Sequence, residues 1–231
     1  KMRGTGNGIS ENWMQGYLKI INENMGVPPA DFVYNNKSYN PLSFAKEVLK
    51  FNASDYVNIT SFTHQPYYLP YVLEVPDNFS NGLYYNMPLK EMMDLAKNGL
   101  RNGYTIMWDA DVSNPGFQPK AGLALAVGSD SMRTSVTALE PDMPENRWNE
   151  SIRQRLYENL VTEDDHLMQI TGLSKSKGGK TYFLVKNSYG TVGPFNGYVQ
   201  VSEAYFALNT ISLVVPKAAI SKMLLEKLKI N

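Results

Sequence analysis

The sequence predicts an α+β fold, and three observations predict it. Apolar residues recur at helical spacing in three stretches before residue 103. After residue 104 they alternate as in strands, and helical spacing returns at the end of the chain. Helices first and antiparallel strands later are the pattern of an α+β architecture, not of alternating βαβ units. There is no internal repeat and no low-complexity tract. The division expected is a helical segment over 1–54 and a sheet-bearing lobe over 55–231.

Taken in order, residues 10–25 place Trp13, Tyr17, Ile20, Ile21 and Met25 along one helical face. Ser10 stands where an N-cap is expected, and Gly26 with Pro28 and Pro29 ends the helix. Asn40-Pro41 opens a second helix carrying Leu42, Ala45, Val48 and Leu49, with proline at the first helical position. Residues 55–60 alternate like a strand, and 61–87, rich in Tyr, Pro and Asn, read as a loop around irregular strands. Pro88 opens a third helix with Leu89, Met92, Met93, Leu95 and Ala96 inward, and Asn102-Gly103 stops it. Short buried strands are expected at 104–108 and 121–127, then a long excursion over 129–149. A helix capped by Asn149 follows at 151–160, with strands at 166–173, 181–187, 197–202 and 211–216. A closing helix over 217–229 is expected to turn Ile220, Met223, Leu224 and Leu228 inward.

Composition excludes several function classes. Twenty-two basic side chains balance 22 acidic ones, which argues against a general nucleic-acid or membrane-surface binder. No apolar run approaches the ~18 residues that cross a bilayer, and Lys1-Met2-Arg3-Gly4 does not lead into the apolar stretch of a signal peptide. With no cysteine, neither disulfides nor thiolate metal sites can form within the chain. The only histidines are His64 and His166, so a metal would depend on carboxylates, and none cluster; no cofactor is expected. Asp109-x-Asp111 lacks the glycine and the distal acid of a calcium loop. Gly4-x-Gly6-x-Gly8 has no preceding strand and is no phosphate loop. His64, beside Pro66 and Tyr67, reads as a loop residue.

The stretch that carries chemistry runs from Thr162 through His166 to Gly172, and from Gly179 through Asn187 to Gly190. Both halves are strand-like. Joined as a hairpin through Ser174–Gly179, they set Leu173 opposite Lys180 and His166 opposite Asn187. Facing residues on adjacent strands lie about 4.5–5.5 Å apart at Cβ, close enough for an amide to meet an imidazole nitrogen. An amide oxygen there fixes the ring and leaves its other nitrogen for a nucleophile. Asparagine suits a thiolate–imidazolium pair because it orients the ring without adding negative charge.

Asp165-His166 with the following apolar strand, and Tyr182-Phe-Leu-Val-Lys-Asn187-Ser-Tyr-Gly190, resemble the histidine and asparagine segments of papain-like cysteine peptidases. Gly197-Tyr-Val-Gln-Val201 resembles the strand after them. Asn40-Pro-Leu-Ser-Phe44, Tyr85-Asn-Met-Pro-Leu89 and Asn102 to Val112 are similar to the bleomycin hydrolase / aminopeptidase C branch. The resemblance implies a papain-like fold: a helical N-terminal part, then a curved antiparallel half-barrel and a C-terminal helix. It also implies cysteine aminopeptidase activity on peptides, with His166 as general base and acid and Asn187 as its orienter. Asp165 supports the site, and Tyr189, standing where the family has tryptophan, shields the His–Asn contact. The family's nucleophilic cysteine and oxyanion-hole glutamine come from an N-terminal segment. This chain has no counterpart of it, so the chain is expected to be the C-terminal portion of a longer protein and inactive alone. An aminopeptidase also needs an anion for the substrate's ammonium group. The candidates are the terminal carboxylate of Asn231, with Ile230 and Asn231 unravelling into the cleft, or Glu163 or Asp164. A cytoplasmic homo-oligomer is implied by resemblance. The rival expectation is a non-catalytic binding protein that kept the scaffold and lost the nucleophile.

Overall fold

The computed structural model describes residues 12–128 and 138–230. The chain divides into two compact units, Lys1–Ala53 and Ser54–Asn231.

The first unit begins with helix α1 (Trp13–Met25), which Gly26 ends at a φ of 81°. Its cap is Asn12, and the expected cap Ser10 lies outside the described residues. The expected all-helical segment is corrected by a hairpin of β1 (Phe32–Tyr34) and β2 (Lys37–Tyr39). Asn35 and Asn36, at φ of 48° and 61°, make its two-residue turn. Two consecutive left-handed residues match the twist of such hairpins, and asparagine tolerates that conformation. Helix α2 (Pro41–Glu47) follows as expected, held by a capping box between Asn40 and Ser43. Phe44 packs edge-on against Phe32, Tyr34 and Tyr39.

The second unit is built on a ten-stranded sheet. Its strands are β3 (Tyr56–Thr60), β4 (Pro70–Val72), β5 (Leu83–Asn86), β6 (Ile106–Ala110), β7 (Phe117–Gln118), β8 (Leu123–Ala124), β9 (His166–Lys175), β10 (Thr181–Lys186), β11 (Tyr198–Ser202) and β12 (Thr210–Pro216). The spatial order is β4-β5-β3-β12-β6-β9-β10-β11-β8-β7, so the sheet is open and not closed into a barrel. The expectation of one antiparallel sheet from Tyr104 to Pro216 is corrected twice. Three strands before Tyr104 extend it, and the pairs β3·β5 and β8·β11 are parallel. Both parallel pairs lie towards the margins, and the strands that position His166 are antiparallel.

One face of the sheet carries the main core, with Ile59, Trp108, Ile170, Phe183, Val201 and Leu213 all buried. Helix α3 (Leu89–Arg101) lays its buried stripe on this face. Trp108 donates its indole N–H to Thr210 Oγ1 at 2.8 Å, so the largest core residue leaves no polar atom unmatched. A further helix, α4 (Glu150–Glu158), is capped by Asn149 as its sequence predicts.

Helix α5 (Glu203–Asn209) was not expected. Six of its residues, Ala204 to Asn209, are buried, so its short segment shows no apolar-polar alternation to mark it. The expected closing helix is broken. A 3₁₀ turn over Lys217–Ala219 precedes α6 (Lys222–Leu228), and Ser221 caps α6. Inside this element Ile220, Leu224 and Leu228 are buried as expected, but Met223 is 67% exposed. Ile230 is buried in the main core, with its N–H bonded to Leu225 O at 3.0 Å. The tail therefore does not unravel at Ile230, because burying that side chain against the core outweighs extending it. Asn231 lies outside the described residues. Lys227 and Tyr68 both donate to Glu91 on α3, which pins α6 to the body.

These burial differences set expected stabilities. Leu228→Ala should cost about 2–5 kcal/mol in urea unfolding, through lost burial and a cavity. Met223→Ala should change stability by less than about 0.5 kcal/mol. Equal losses for the two would contradict the placement of α6.

Candidate active site

His166 opens β9 and pairs with Ala110 of β6. Its Nε2 lies 2.9 Å from Asn187 Oδ1, the contact the sequence predicts. The register that produces it is different. Phe183 faces Leu173 and Leu184 faces Gly172, so Leu173 does not oppose Lys180 and His166 does not oppose Asn187. The sequence-based count assumed an uninterrupted ladder. Instead the pairing slips between Leu184 and Val185, and Val185 faces Ile170. Thr171 is the extra residue of this bulge, and its hydroxyl donates to Leu184 O at 3.2 Å.

The bulge decides which face His166 uses. Without it, Leu173 and Thr171 would share the core face, and His166 would point to the other side. With it, Leu173, Ile170 and Met168 all pack on the main core, and His166 continues that row at the strand's end. Asn187 follows the last ladder pair, Lys186 with Gln169, and so comes level with Met168. It meets His166 as a diagonal neighbour on the same face, a separation an imidazole and an amide can span together.

Asn187 is 3% exposed. Its Oδ1 also accepts the N–H of Ser188 at 2.7 Å, which identifies that atom as the oxygen and His166 Nε2 as a donor. The neutral ring then carries its proton on Nε2 and its lone pair on Nδ1. Nδ1 makes no hydrogen bond among the described residues. Asn187 Nδ2 is buried and finds no acceptor among them. Leaving such a group unmatched costs about 1–3 kcal/mol.

The ring of Tyr189 stacks on His166, with centroids 5.3 Å apart and planes at 20°. The loop carrying Tyr189 closes on Gly197. The N–H of Asn187 donates to Gly197 O at 3.1 Å, and Gly197 N–H donates to Val192 O at 2.9 Å. Gly197 has a φ of 83°, and a Cβ there would stand 1.9 Å from Gly190 O. Only glycine fits. The sequence suggested a family strand at this position but not this requirement.

The acidic run before His166 is stitched to the end of β6. Asp165 Oδ2 accepts the N–H of Val112 at 3.1 Å, which is the supporting contact the structure gives it. Asp111 is fully buried, and its Oδ2 accepts the N–H of Glu163 at 3.2 Å. Asp164 is half-buried. Glu163 is exposed. The Oδ1 of Asp111 accepts the N–H and hydroxyl of Ser113, a local turn, but the Glu163 contact that makes Asp111 structurally important lies far along the chain and was missed. His64 sits in a loop, with Nδ1 accepting from Gln154 at 2.9 Å and Nε2 3.3 Å from Glu74, and it stacks on Tyr157. It lies on no catalytic arrangement among the described residues. Those residues include no group of three or more histidines and carboxylates able to hold a metal ion.

Residues 7–231 match the family described as the Peptidase C1-like family. Aminopeptidase C of Streptococcus thermophilus is 26% identical, over 90% of this chain and 48% of its own length. Bleomycin hydrolase of Gallus gallus is 24% identical, over 90% of this chain and 48% of its own length. The crystal structure of PepW from Lactobacillus rhamnosis superposes with a TM-score of 0.68 at 21% identity, covering 95% of this chain and 50% of that one. The fold is papain-like. The chain spans about half the length of the curated relatives it matches. No helix among the described residues is long and apolar enough to cross a membrane.

The geometry fixes an observable. Long-range ¹H–¹⁵N spectra of neutral His166 should show the Nε2–H tautomer, and Asn187→Ala should return the ring to a mixture. Gly197→Ala should have the same effect by displacing the loop that holds Asn187. Tautomer ratios equal in all three proteins would contradict this account.

Proposed function

The chain belongs to the peptidase C1-like family, and from that premise we propose that it supplies the imidazole and its orienting amide to a cysteine aminopeptidase site. The observation that carries this reading is the 2.9 Å bond from His166 Nε2 to Asn187 Oδ1, which leaves Nδ1 as the free base. The nucleophile belongs to polypeptide outside this sequence, which contains no cysteine.

In the proposed cycle Nδ1 of His166 takes the thiol proton, and the thiolate attacks the peptide carbonyl. The imidazolium then returns the proton to the departing amine, and a water deprotonated by His166 releases the acyl group. Asn187 holds the ring through both proton transfers without placing a second negative charge beside the thiolate–imidazolium pair. Tyr189 keeps water from competing for the Nε2–Oδ1 bond. Asn187 Nδ2 is buried with no acceptor among the described residues, and the proposal assigns its acceptor to the segment that carries the nucleophile.

Peptides with a free amino terminus are the proposed substrates, since relatives bear the names aminopeptidase C and bleomycin hydrolase. Of the acidic candidates for the substrate's ammonium group, Asp164 is half-buried. Glu163 is exposed and is the better choice. A homo-oligomer in the cytoplasm remains part of the proposal by resemblance alone. The absence of cysteine also favours a second reading, a binding protein that retains this scaffold. Serine or glycine at the nucleophile position of the full-length protein would support it.

In a full-length protein containing the nucleophile, His166→Ala should lower kcat/KM for an aminoacyl amide by about 10³-fold or more. Asn187→Ala should lower it by roughly 10–100-fold, because stacking on Tyr189 still places the ring. Equal and negligible effects in an active preparation would refute the assignment.

A further inference from the structure

Lys186, the residue before Asn187, ends β10 and pairs with Tyr198 of β11. Consecutive strand residues point to opposite faces, so its side chain leaves on the face away from Asn187. There its Nζ stands 4.7 Å from the centre of the Tyr198 ring and donates to Asn196 O at 3.1 Å. The same nitrogen lies 3.1 Å from where a Cβ on Gly197 would stand. We propose that Lys186 is a positioning residue for the proposed reaction: its ammonium group locks the Asn196–Gly197 turn, and that turn holds the backbone of Asn187 where its amide reaches His166.

The turn needs holding. Asn196 and Gly197 have φ of 51° and 83°, two successive left-handed residues that lead the chain back into β11. Asparagine tolerates this region without preferring it, and it stays there when its surroundings leave no alternative. The peptide between the two residues is gripped at both ends. Its carbonyl accepts from Lys186, and its N–H donates to Val192 O at 2.9 Å. A planar peptide so held cannot rotate. The next carbonyl, Gly197 O, accepts the N–H of Asn187 at 3.1 Å. The loop closed by this turn also carries Tyr189, whose ring stacks on His166.

A contact made by a surface lysine commonly contributes little, because a long side chain loses freedom in making it. Lys186 differs in being half-buried and in having the Tyr198 ring beneath its ammonium group, which restricts where that group can go. Its bond to the carbonyl is charge-assisted and correspondingly stronger than one between neutral groups. Lys186 and Asn187 thus hold one strand end from its two faces. The ammonium group fixes the backbone, and the amide fixes the imidazole.

The inference rests on the reading of His166 and Asn187 as base and orienter, and its test needs no catalytic activity. Long-range ¹H–¹⁵N spectra of this chain are recorded at a pH where His166 is neutral. Lys186→Met keeps the stem and loses the ammonium group, and it should lower the ratio of Nε2–H to Nδ1–H tautomer by about 3-fold or more. Lys186→Cys should do the same. The chain has no other cysteine, so that thiol alone reacts with 2-bromoethylamine: sulfur displaces bromide, and the side chain again ends in an ammonium group. This product should regain the wild-type ratio, whereas the product of iodoethane, with an ethyl group and no charge, should not. Lys180→Met removes a tie at the other end of the hairpin. It should lower the melting temperature and leave the tautomer ratio unchanged, which separates positioning from general stability. A wild-type ratio in both Lys186 variants, or equal recovery with the ethyl group, would overturn the proposal and leave the His166–Asn187 reading standing. A wild-type ring with no preference for Nε2–H would overturn that reading and the proposal with it.

Discussion

Between Leu184 and Val185 the pairing of β9 with β10 slips by one residue, and the direction of His166 depends on that slip. A strand alternates faces with period two, so a single extra residue inverts everything beyond it. Here Leu173 must face the core on one side of Thr171, and Ile170 and Met168 on the other. An unbroken ladder cannot satisfy both. The bulge can, and the Thr171 hydroxyl serves the carbonyl of Leu184 where the ladder is disturbed. His166 inherits the core-facing phase at the point where β9 runs out. Asn187, on the unbulged strand, inherits the same phase from Phe183 and Val185.

The sheet around this pair is stiffened from outside. Glu145 accepts from the N–H of Ala126 at 2.9 Å, from Lys180 at 3.2 Å and from Ser202. Asp142 accepts from Gly178 at 3.0 Å and from Ser176. The chain before α4 is therefore tied to the turn of the β9–β10 hairpin and to the start of α5. Arg153 of α4 is fully buried and donates to the carbonyls of Ser61 and Ala207, joining the loop after β3 to α5. Burial alone lowers its guanidinium to about 10, still charged at neutral pH. The contacts of Asp142 and Glu145 hold the far end of the hairpin, and the pairing with β6 holds the near end at His166.

What the sequence disclosed and what it concealed follow from the range of each interaction. Capping of α2 by Asn40 and of α4 by Asn149 depends on residues three apart, and both were readable. The His166–Asn187 contact was readable from motif and from hairpin proximity, although its register was not. A bulge answers to core packing on both strands, and the isolated Gly172 beside Thr171 is a local mark of it that does not fix the register. Helix α5 was concealed for a related reason, since burial on all sides removes the alternation that marks a helix. The Asn35-Asn36 turn was a local signal that the reading passed over. Met223 was misplaced because Ser221 restarts the helix after a 3₁₀ turn, which rotates every later residue.

Backbone hydrogen bonds explain why a run of acids can precede a histidine without dominating it. A carboxylate touching the imidazole would hold it protonated and deny it the role of base. Asp165 is instead spent on the backbone N–H of Val112, and Asp111 on those of Glu163 and Ser113. Among the described residues, the polar side chain hydrogen-bonded to the ring is the neutral Asn187. The charge of these acids fastens the backbone, while the orientation of His166 is set by the neutral amide of Asn187.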